Sequence, residues 1–298
     1  MTRQRLSAVA TICAGAAMIL NALLGPLGVG LIRFHESAAM ETQLLGGELA
    51  SLVLAGPIAI LAGALWWRGA RIAPALAFAP LGYAVYTYVQ FVLVPDYARY
   101  PGNNERWFPL YVSMVMTAWI VAVAAWQELD AHPLSPPGRT IRHVFGTVLV
   151  VTNGLFALAW VTSIASTYVH APSPEYREHP TAFWLIRLMD LGFVIPIGIA
   201  TGIGLLRGTA SSQRWAFTFA GMQTLLACAV AMMAVRIALS GADAMSWVVA
   251  ATLSAVAASL LGLYISLIVS ASSKAARAAA STDAGAHVGC VDSRNAEN

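Results

Sequence analysis

The chain carries little charge for its length. Charged residues make up 10% of its 298 residues, whereas a soluble globular domain carries about 25%. Hydrophobic residues make up 58%, and the mean hydropathy is +0.69. A water-soluble protein of this size needs charged side chains to cover its surface. The composition therefore excludes an ordinary soluble domain and indicates a chain that faces lipid.

Most motifs that mark cofactor or catalytic sites are also missing. The three cysteines form no C-x-x-C pair, and no histidine falls within an apolar run, which argues against redox centres and haem. The chain has no G-x-x-x-x-G-K-[ST] and no G-x-S-x-G, and no serine has an acid–histidine pair in register. The sequence predicts no cofactor, no metal, no nucleic acid partner and no catalytic residue. Whether the protein is an enzyme stays open.

Histidines and carboxylates do occur in two of the loops between the apolar runs. Together they could bind a metal ion, but neither loop has the H-E-x-x-H or H-x-x-x-H spacing of helical metal ligands. We interpret them as solvated loop residues. They are His35, Glu36, Glu41, His170, Glu175, Glu178 and His179.

Eight apolar runs are long enough to cross a membrane as helices, which takes about 20 residues each. They cover residues 6–24, 46–67, 75–94, 109–126, 144–166, 183–206, 215–239 and 245–268. The sequence thus predicts an all-α, polytopic transmembrane bundle of eight spans. Residues 270–298 are rich in Ala, Ser, Asp and Gly and predict a disordered cytoplasmic tail.

The basic residues indicate the orientation of the chain. Eleven of the 17 lysines and arginines fall on the side that holds both termini, and nine of the 14 acidic residues fall on the other side. Because cytoplasmic loops are enriched in Lys and Arg, both termini should be cytoplasmic. An Ala-rich chain with 16 arginines and one lysine is typical of a GC-rich bacterial genome. We therefore expect the cytoplasmic membrane of a bacterium.

One pattern occurs twice. "PIAILAGALWWR" starts at Pro57 and "PIGIATGIGLLR" at Pro196, 139 residues later and in a span of the same direction. A parallel duplication would give two similar four-helix halves, 1–131 and 132–269. The alternative is coincidence, because proline kinks and small residues help packing in any membrane helix. The predicted kink and packing residues are Pro57, Gly63, Pro196, Gly198 and Gly202.

Five polar side chains within the spans are candidates for function. Ionisable groups cost about 2.5–3.5 kcal/mol at the centre of a bilayer and usually face the interior of a bundle. One interpretation is an outward-facing polar cavity that binds a small molecule. The other is structural: Asp190 pairs with Arg187 or Arg236, and Glu48 lies at the headgroups. The five residues are Glu48, Gln90, Arg187, Asp190 and Arg236.

Parts of the chain resemble multi-pass bacterial membrane proteins of unassigned function. The similar segments are "YAVYTYVQFVLVPDY", "RWFPLYVSMVM" and "RLMDLGFVIPIGIATGIGLLR", within roughly residues 46–120 and 183–270. The resemblance rests on an aromatic-rich third span and on the spacing of Asp190, Gly192 and Pro196. It implies no substrate, cofactor or catalytic residue.

Three functions fit these observations. A transporter or permease is favoured by the repeat, by the prolines within spans and by the few intramembrane charges. A non-catalytic accessory or sensory membrane protein is favoured by the short loops. A membrane-embedded enzyme is the third, without a recognisable acid–base or metal motif. We expect a permease-like protein in contact with the lipid bilayer, with its ligand and protein partners unknown.

The orientation can be tested by thiol labelling. Cysteines introduced at Ala70, Pro136 and Ser211 should be shielded from impermeant thiol reagents in intact cells, because these positions lie in the arginine-rich loops. Labelling of all three from outside would overturn the orientation.

Overall fold

The structure is a computed structural model that describes residues 2–170, 172–241 and 244–295, with side chains described up to residue 273 except those of Pro174 and Ala210. These ranges contain helices and no strand. Eight helices are long and apolar enough to cross a membrane, which confirms the predicted eight-span, all-α bundle. In chain order, the first to eighth spans are Arg3–Leu24, Ala38–Trp67, Ala73–Leu93, Asn104–Ala131, Arg139–Val169, Pro180–Arg207, Ser211–Leu239 and Ala244–Ser273.

Several spans consist of more than one helical segment. The α-helices of the described ranges are α1 (Arg3–Leu24), α2 (Ala38–Ala50), α3 (Gly56–Trp67), α4 (Ala73–Leu93), α5 (Phe108–Ala131), α6 (Arg139–Val169), α7 (Pro174–Glu178), α8 (Pro180–Met189), α9 (Ile195–Arg207), α10 (Ala210–Phe217), α11 (Phe219–Leu239) and α12 (Ala244–Asn295). A 3-10 turn, Asn104–Trp107, precedes α5. Two π-helical turns, Ser51–Ala55 and Asp190–Val194, join α2 to α3 and α8 to α9.

The end of the chain is described by its backbone alone. Helix α12 continues beyond the eighth span to Asn295, and no side chain after residue 273 is described. Residues 296–298 lie outside the described ranges. The disordered tail expected over 270–298 therefore stays a prediction.

Helix-start residues make some spans longer than the apolar runs indicate. The second span begins at Ala38, where the run begins at residue 46, because Ser37 caps the helix: its Oγ accepts a hydrogen bond from Met40 N at 3.3 Å. The sixth span begins at Pro180, and proline is well suited to the first turn of a helix. Glu48 and Asp190, each ten residues after these starts, consequently lie further from the ends of their helices than the sequence predicts.

Neighbouring spans pack in a pattern that repeats. The most extensive contacts join the first span to the second, the third to the fourth, the fifth to the sixth and the seventh to the eighth. Contacts of the first span with the fourth, and of the fifth with the eighth, close each group of four. The two groups meet where the seventh span packs against the second and third. The contacts within each group of four follow one pattern, as two similar halves would, whereas the contacts between the groups do not: the second span packs against the seventh more extensively than the third against the sixth.

Both π-helical turns lie directly before the repeated prolines. Gly56 N–H donates to the Ser51 carbonyl, five residues back, and Pro57 follows. Ile195 N–H donates to the Asp190 carbonyl in the same way, and Pro196 follows. A proline ring clashes with the carbonyl four residues before it and offers no N–H, so the wider turn accommodates it. The repeated motif thus has the same backbone irregularity in both spans.

The repeated glycines lie where another helix comes close. A Cβ on Gly63 would be 2.7 Å from the Ala8 carbonyl oxygen, and a Cβ on Gly202 would be 2.7 Å from that of Gly146. The partner helices are the first and fifth spans, which correspond in the proposed repeat. These matched contacts support the duplication, and the division into halves 1–131 and 132–269 stays a prediction.

Alanine at Gly63 or Gly202 should destabilise the protein, because the added methyl meets backbone of the facing helix. We expect a loss of about 1–3 kcal/mol, seen as a lower melting temperature in detergent. Gly154→Ala is the matched control, because a Cβ at Gly154 meets nothing within 4 Å. Equal melting temperatures for the three variants would show that the close approach is wrong.

Candidate functional site

Asp190 lies deep in its helix. It is the first residue of the π-helical turn in the sixth span, Pro180–Arg207. At a rise of about 1.5 Å per residue it lies about 15 Å from the start of that span, close to the midpoint. The sequence places it nearer the end of the span, where a charge costs little. The deeper position gives this carboxylate more need of a partner.

Two hydrogen bonds hold the Asp190 carboxylate. Tyr86 Oη donates to Oδ1 at 2.7 Å, and Trp160 Nε1 donates to Oδ2 at 2.8 Å. The ion pairs found among the described residues do not include Asp190. The carboxylate is therefore fixed in position by neutral donors and lacks a paired cation.

A cavity of about 100 Å³ opens beside Asp190. Its polar wall includes Tyr86, Asn153 and Gln223, and aliphatic side chains of the sixth, seventh and eighth spans form much of the rest. Gln223 Nε2 donates to the carbonyl of Val194, in the π-helical turn, at 2.5 Å. Gln223 Oε1 accepts from Asn153 Nδ2 at 3.3 Å. Amide groups from the fifth and seventh spans thus meet the irregular turn of the sixth.

Arg187 forms an ion pair with Glu175 and not with Asp190, the partner that its position one turn earlier in the same helix predicts. Its guanidinium donates to the Glu175 carboxylate at 3.2 Å and to Ser163 Oγ at 2.8 Å. It also lies 4.5 Å from the centre of the Trp160 ring. Trp160 therefore lies between Arg187 and Asp190 and connects the two without a direct ion pair.

The other candidates lie elsewhere. Glu48 is fully buried in the second span, and its Oε2 accepts from Leu27 N at 3.0 Å, so it holds the chain that follows the first span. Gln90 lines a separate cavity of about 60 Å³ with Glu36. Arg236 Nε is buried and has no hydrogen-bond partner within the described part of the chain. Of the five predicted residues, Asp190 is the one that lines the larger cavity.

Four residues of the site are missing from the set of five predicted residues: Tyr86, Asn153, Trp160 and Gln223. Asn153 and Trp160 are seven residues apart in the fifth span, so they lie on one helix face. Two such side chains on one face of an otherwise apolar helix indicate that this face is turned towards the interior of the bundle, so the sequence could have identified both residues. Gln223 offers only the weaker signal of an amide within a span.

Comparison with known proteins adds no assignment. No family model matches the chain, and no curated protein or solved structure matches it significantly. The roles of its residues must therefore follow from their own geometry.

A second polar cluster lies in the loops at the end of the bundle opposite the termini. His179 Nε2 lies 2.7 Å from Ser37 Oγ, and His179 Nδ1 lies 3.4 Å from Glu36 Oε2. His35 makes separate contacts with Glu105. Over the described residues, no group of three or more His, Cys, Asp or Glu is arranged to hold a metal ion. The two loops do meet, however, so their histidines and carboxylates are not simply solvated.

Burial perturbs both acid–base groups of this cluster. Burial, with the nearby Asp96, raises the pKa of Glu36 to about 8. Burial lowers the pKa of His179, and this outweighs the neighbouring carboxylates. Both groups are therefore neutral at pH 7. The charged groups that face the pair are Asp96, Arg99, Glu175 and Glu178.

The Glu36 shift predicts a pH dependence of stability. At pH values between 4.5, the ordinary pKa of the group, and about 8, Glu36 is protonated in the folded protein and ionised in the unfolded chain. Raising the pH through this range therefore favours the unfolded chain, so the free energy of unfolding falls. His179 opposes this only below its ordinary pKa of 6.5. The melting temperature should therefore fall from pH 6.5 to pH 8, and Glu36→Gln should flatten that slope.

Glu41→Gln is the control for this measurement, because Glu41 is an exposed carboxyl of α2. It should leave the slope as in the wild type. A slope unchanged in Glu36→Gln would show that another group causes it.

Proposed function

We propose that the protein is a permease-like protein of the bacterial cytoplasmic membrane that binds a small monovalent cation or protonated amine at Asp190. The observation that carries this proposal is a mid-helix carboxylate beside a cavity, held by Tyr86 and Trp160 and without a direct ion pair among the described residues. Ionisable groups at this depth are expensive, and they usually mark a pathway or a binding site.

The size of the cavity restricts the ligand. Pockets for drug-sized molecules have volumes of about 300–1,000 Å³. A cavity of about 100 Å³ admits an ion, an ammonium group or a few water molecules. The carboxylate supplies the negative charge, and the side-chain carbonyls of Asn153 and Gln223 supply further oxygen acceptors.

The packing of the spans supports a route for opening. The fifth and sixth spans pack extensively against each other, and α9 meets α10 at the end that holds the termini. Further along, the cavity separates the sixth span from the seventh. A rocking motion of the fifth and sixth spans about the α9–α10 contact would open the cavity towards the side opposite the termini, which is the outer side if the termini are cytoplasmic.

A non-catalytic accessory or sensory role is the second candidate. The small volume of the cavity favours it, because a carboxylate held by hydrogen bonds within a fixed bundle needs no transport pathway. The two functions differ in the response of the protein to cations.

The proposal predicts that cations stabilise the purified protein through Asp190. In detergent at constant ionic strength, ammonium, methylammonium or Na⁺ should raise the melting temperature of the wild type in a saturable way, because the folded state alone has the site. Asp190→Asn should remove that rise and change the melting temperature without cation only slightly.

Asp130→Asn is the control, because Asp130 is an acidic residue paired with Arg214 and lies outside the cavity. It should keep the response. If none of the three cations stabilises the wild type, or if Asp190→Asn responds equally, Asp190 is no cation site and the accessory role is the better proposal.

A further inference from the structure

In the loops at the end of the bundle opposite the termini, Ser37, His179 and Glu36 lie side by side in the serine–histidine–acid sequence of a catalytic triad. Ser37 Oγ lies 2.7 Å from His179 Nε2, and the other ring nitrogen, Nδ1, lies 3.4 Å from Glu36 Oε2. The side chains of His179 and Glu36 are 4% and 1% exposed, whereas Ser37 is only half-buried. Such triads are recognised by geometry and not by chain order. Among the described residues, His179 Nδ1 and the Glu36 carboxyl oxygens make no hydrogen bond, so the 3.4 Å approach must tighten when substrate binds, as catalytic hydrogen bonds often do.

The surroundings of the serine suit a nucleophile. Ser37 caps α2, so the backbone N–H groups of Ala38 and Ala39 begin that helix at an exposed surface. The start of a helix favours negative charge, and two backbone N–H groups there could stabilise the oxyanion of an attacked carbonyl. The second span starts at Ala38, so the hydroxyl lies at the first turn of a helix long and apolar enough to cross a membrane.

The histidine is in the form that a general base needs. Burial lowers the pKa of His179, so its ring is neutral at pH 7, and the tautomer that carries its proton on Nδ1 can accept the proton of Ser37 at Nε2. The ring of Tyr100 stacks on it with centroids 5.8 Å apart, which restrains its orientation. Glu36 faces the other ring nitrogen and is a positioning residue, because it touches His179 and not the reacting atoms.

A small cavity lies next to this arrangement. It has a volume of about 60 Å³ and is lined by Glu36, Met40, Phe91 and Val94, and it adjoins the arrangement through Glu36, because Ser37 and His179 are not part of its wall. Its wall is largely apolar and its size suits a short acyl chain.

We propose that Ser37, His179 and Glu36 form a nucleophilic site that cleaves carboxylic esters presented at the membrane surface. Ser37 Oγ bonds to the ester carbonyl carbon while its proton passes to His179 Nε2. The carbon–oxygen bond to the alcohol then breaks, and the alcohol leaves with that proton. Water attacks the acyl-serine in the same way, which releases the acid and restores Ser37.

This activity does not depend on Asp190. The two sites share no residue. Ser37 and His179 are 142 residues apart in the chain, which is why no sequence motif contains both.

Labelling with a fluorophosphonate tests the proposal. The purified wild type should be modified at Ser37, identified by peptide mass spectrometry, and should hydrolyse p-nitrophenyl butyrate. Ser37→Asn should abolish both, and its fold should survive because asparagine caps helices about as well as serine. Ser173→Ala is the matched control: Ser173 caps α7, accepts from Tyr176 N at 3.2 Å and should leave labelling unchanged.

Substitutions of His179 and Glu36 should change the rate of labelling at Ser37 to different degrees. His179→Gln should slow labelling by about 100-fold or more, as expected for loss of a general base. In the wild type, labelling should accelerate as pH rises through about 8, where Glu36 becomes a carboxylate that can stabilise the imidazolium. Glu36→Gln should remove this rise and Glu36→Asp should restore part of it, which a purely structural role would not do.

Melting temperatures show whether each variant is folded. If the folded wild type is not labelled at Ser37, or if folded His179→Gln is labelled at the wild-type rate, Ser37 is only a helix cap and the proposal is wrong.

Discussion

A proline within a membrane helix leaves backbone carbonyls without a donor, and lipid supplies none. In this protein the second and sixth spans meet that constraint with the same π-helical turn, placed directly before Pro57 and Pro196. The widened turn exposes backbone groups and presents its first residue to the interior of the bundle. The positions of the polar side chains described above depend on this irregularity.

The first residue of the turn differs between the two spans. It is Ser51 in the second span and Asp190 in the sixth, and the third span supplies a tyrosine to each. Tyr83 Oη lies 3.1 Å from Ser51 Oγ, and Tyr86 donates to Asp190. Tyr83 also donates to the Gly47 carbonyl at 2.9 Å. Ser51 and Tyr83, which are both neutral, therefore bond to each other and to the backbone of the second span. Asp190 and Tyr86, by contrast, line a cavity.

Composition and periodicity were sufficient to predict the eight helices, because each has to be apolar over its whole length to lie in lipid. The repeat was also visible, and Gly82 and Gly221, again 139 residues apart, are a further instance of it. They lie where the third and seventh spans cross, since a Cβ on Gly82 would be 2.8 Å from Met222 Sδ and one on Gly221 would be 2.9 Å from Ala79 Cβ. A single glycine pair in an apolar run is too common to be noticed without the structure.

The polar contacts were much harder to predict. Asp190 was an obvious candidate, but its partner was expected to be an arginine, whereas the structure pairs it with Tyr86 and Trp160. Charge complementarity can be read along a chain, but hydrogen bonds between distant helices depend on how those helices rotate. The loop cluster shows the same limit, because Ser37 and His179 come together only after four spans have packed between them.

The contacts of Trp160 have a spectroscopic consequence. Its indole N–H is bonded to the Asp190 carboxylate, and its ring lies against the Arg187 guanidinium. A negative charge at one edge of an indole and a positive charge over its face both shift the energy of its excited state. Neutralising Asp190, by a proton or a bound cation, would change that field at a distance of one hydrogen bond. The fluorescence of this one tryptophan therefore reports the charge state of the cavity from inside the bundle.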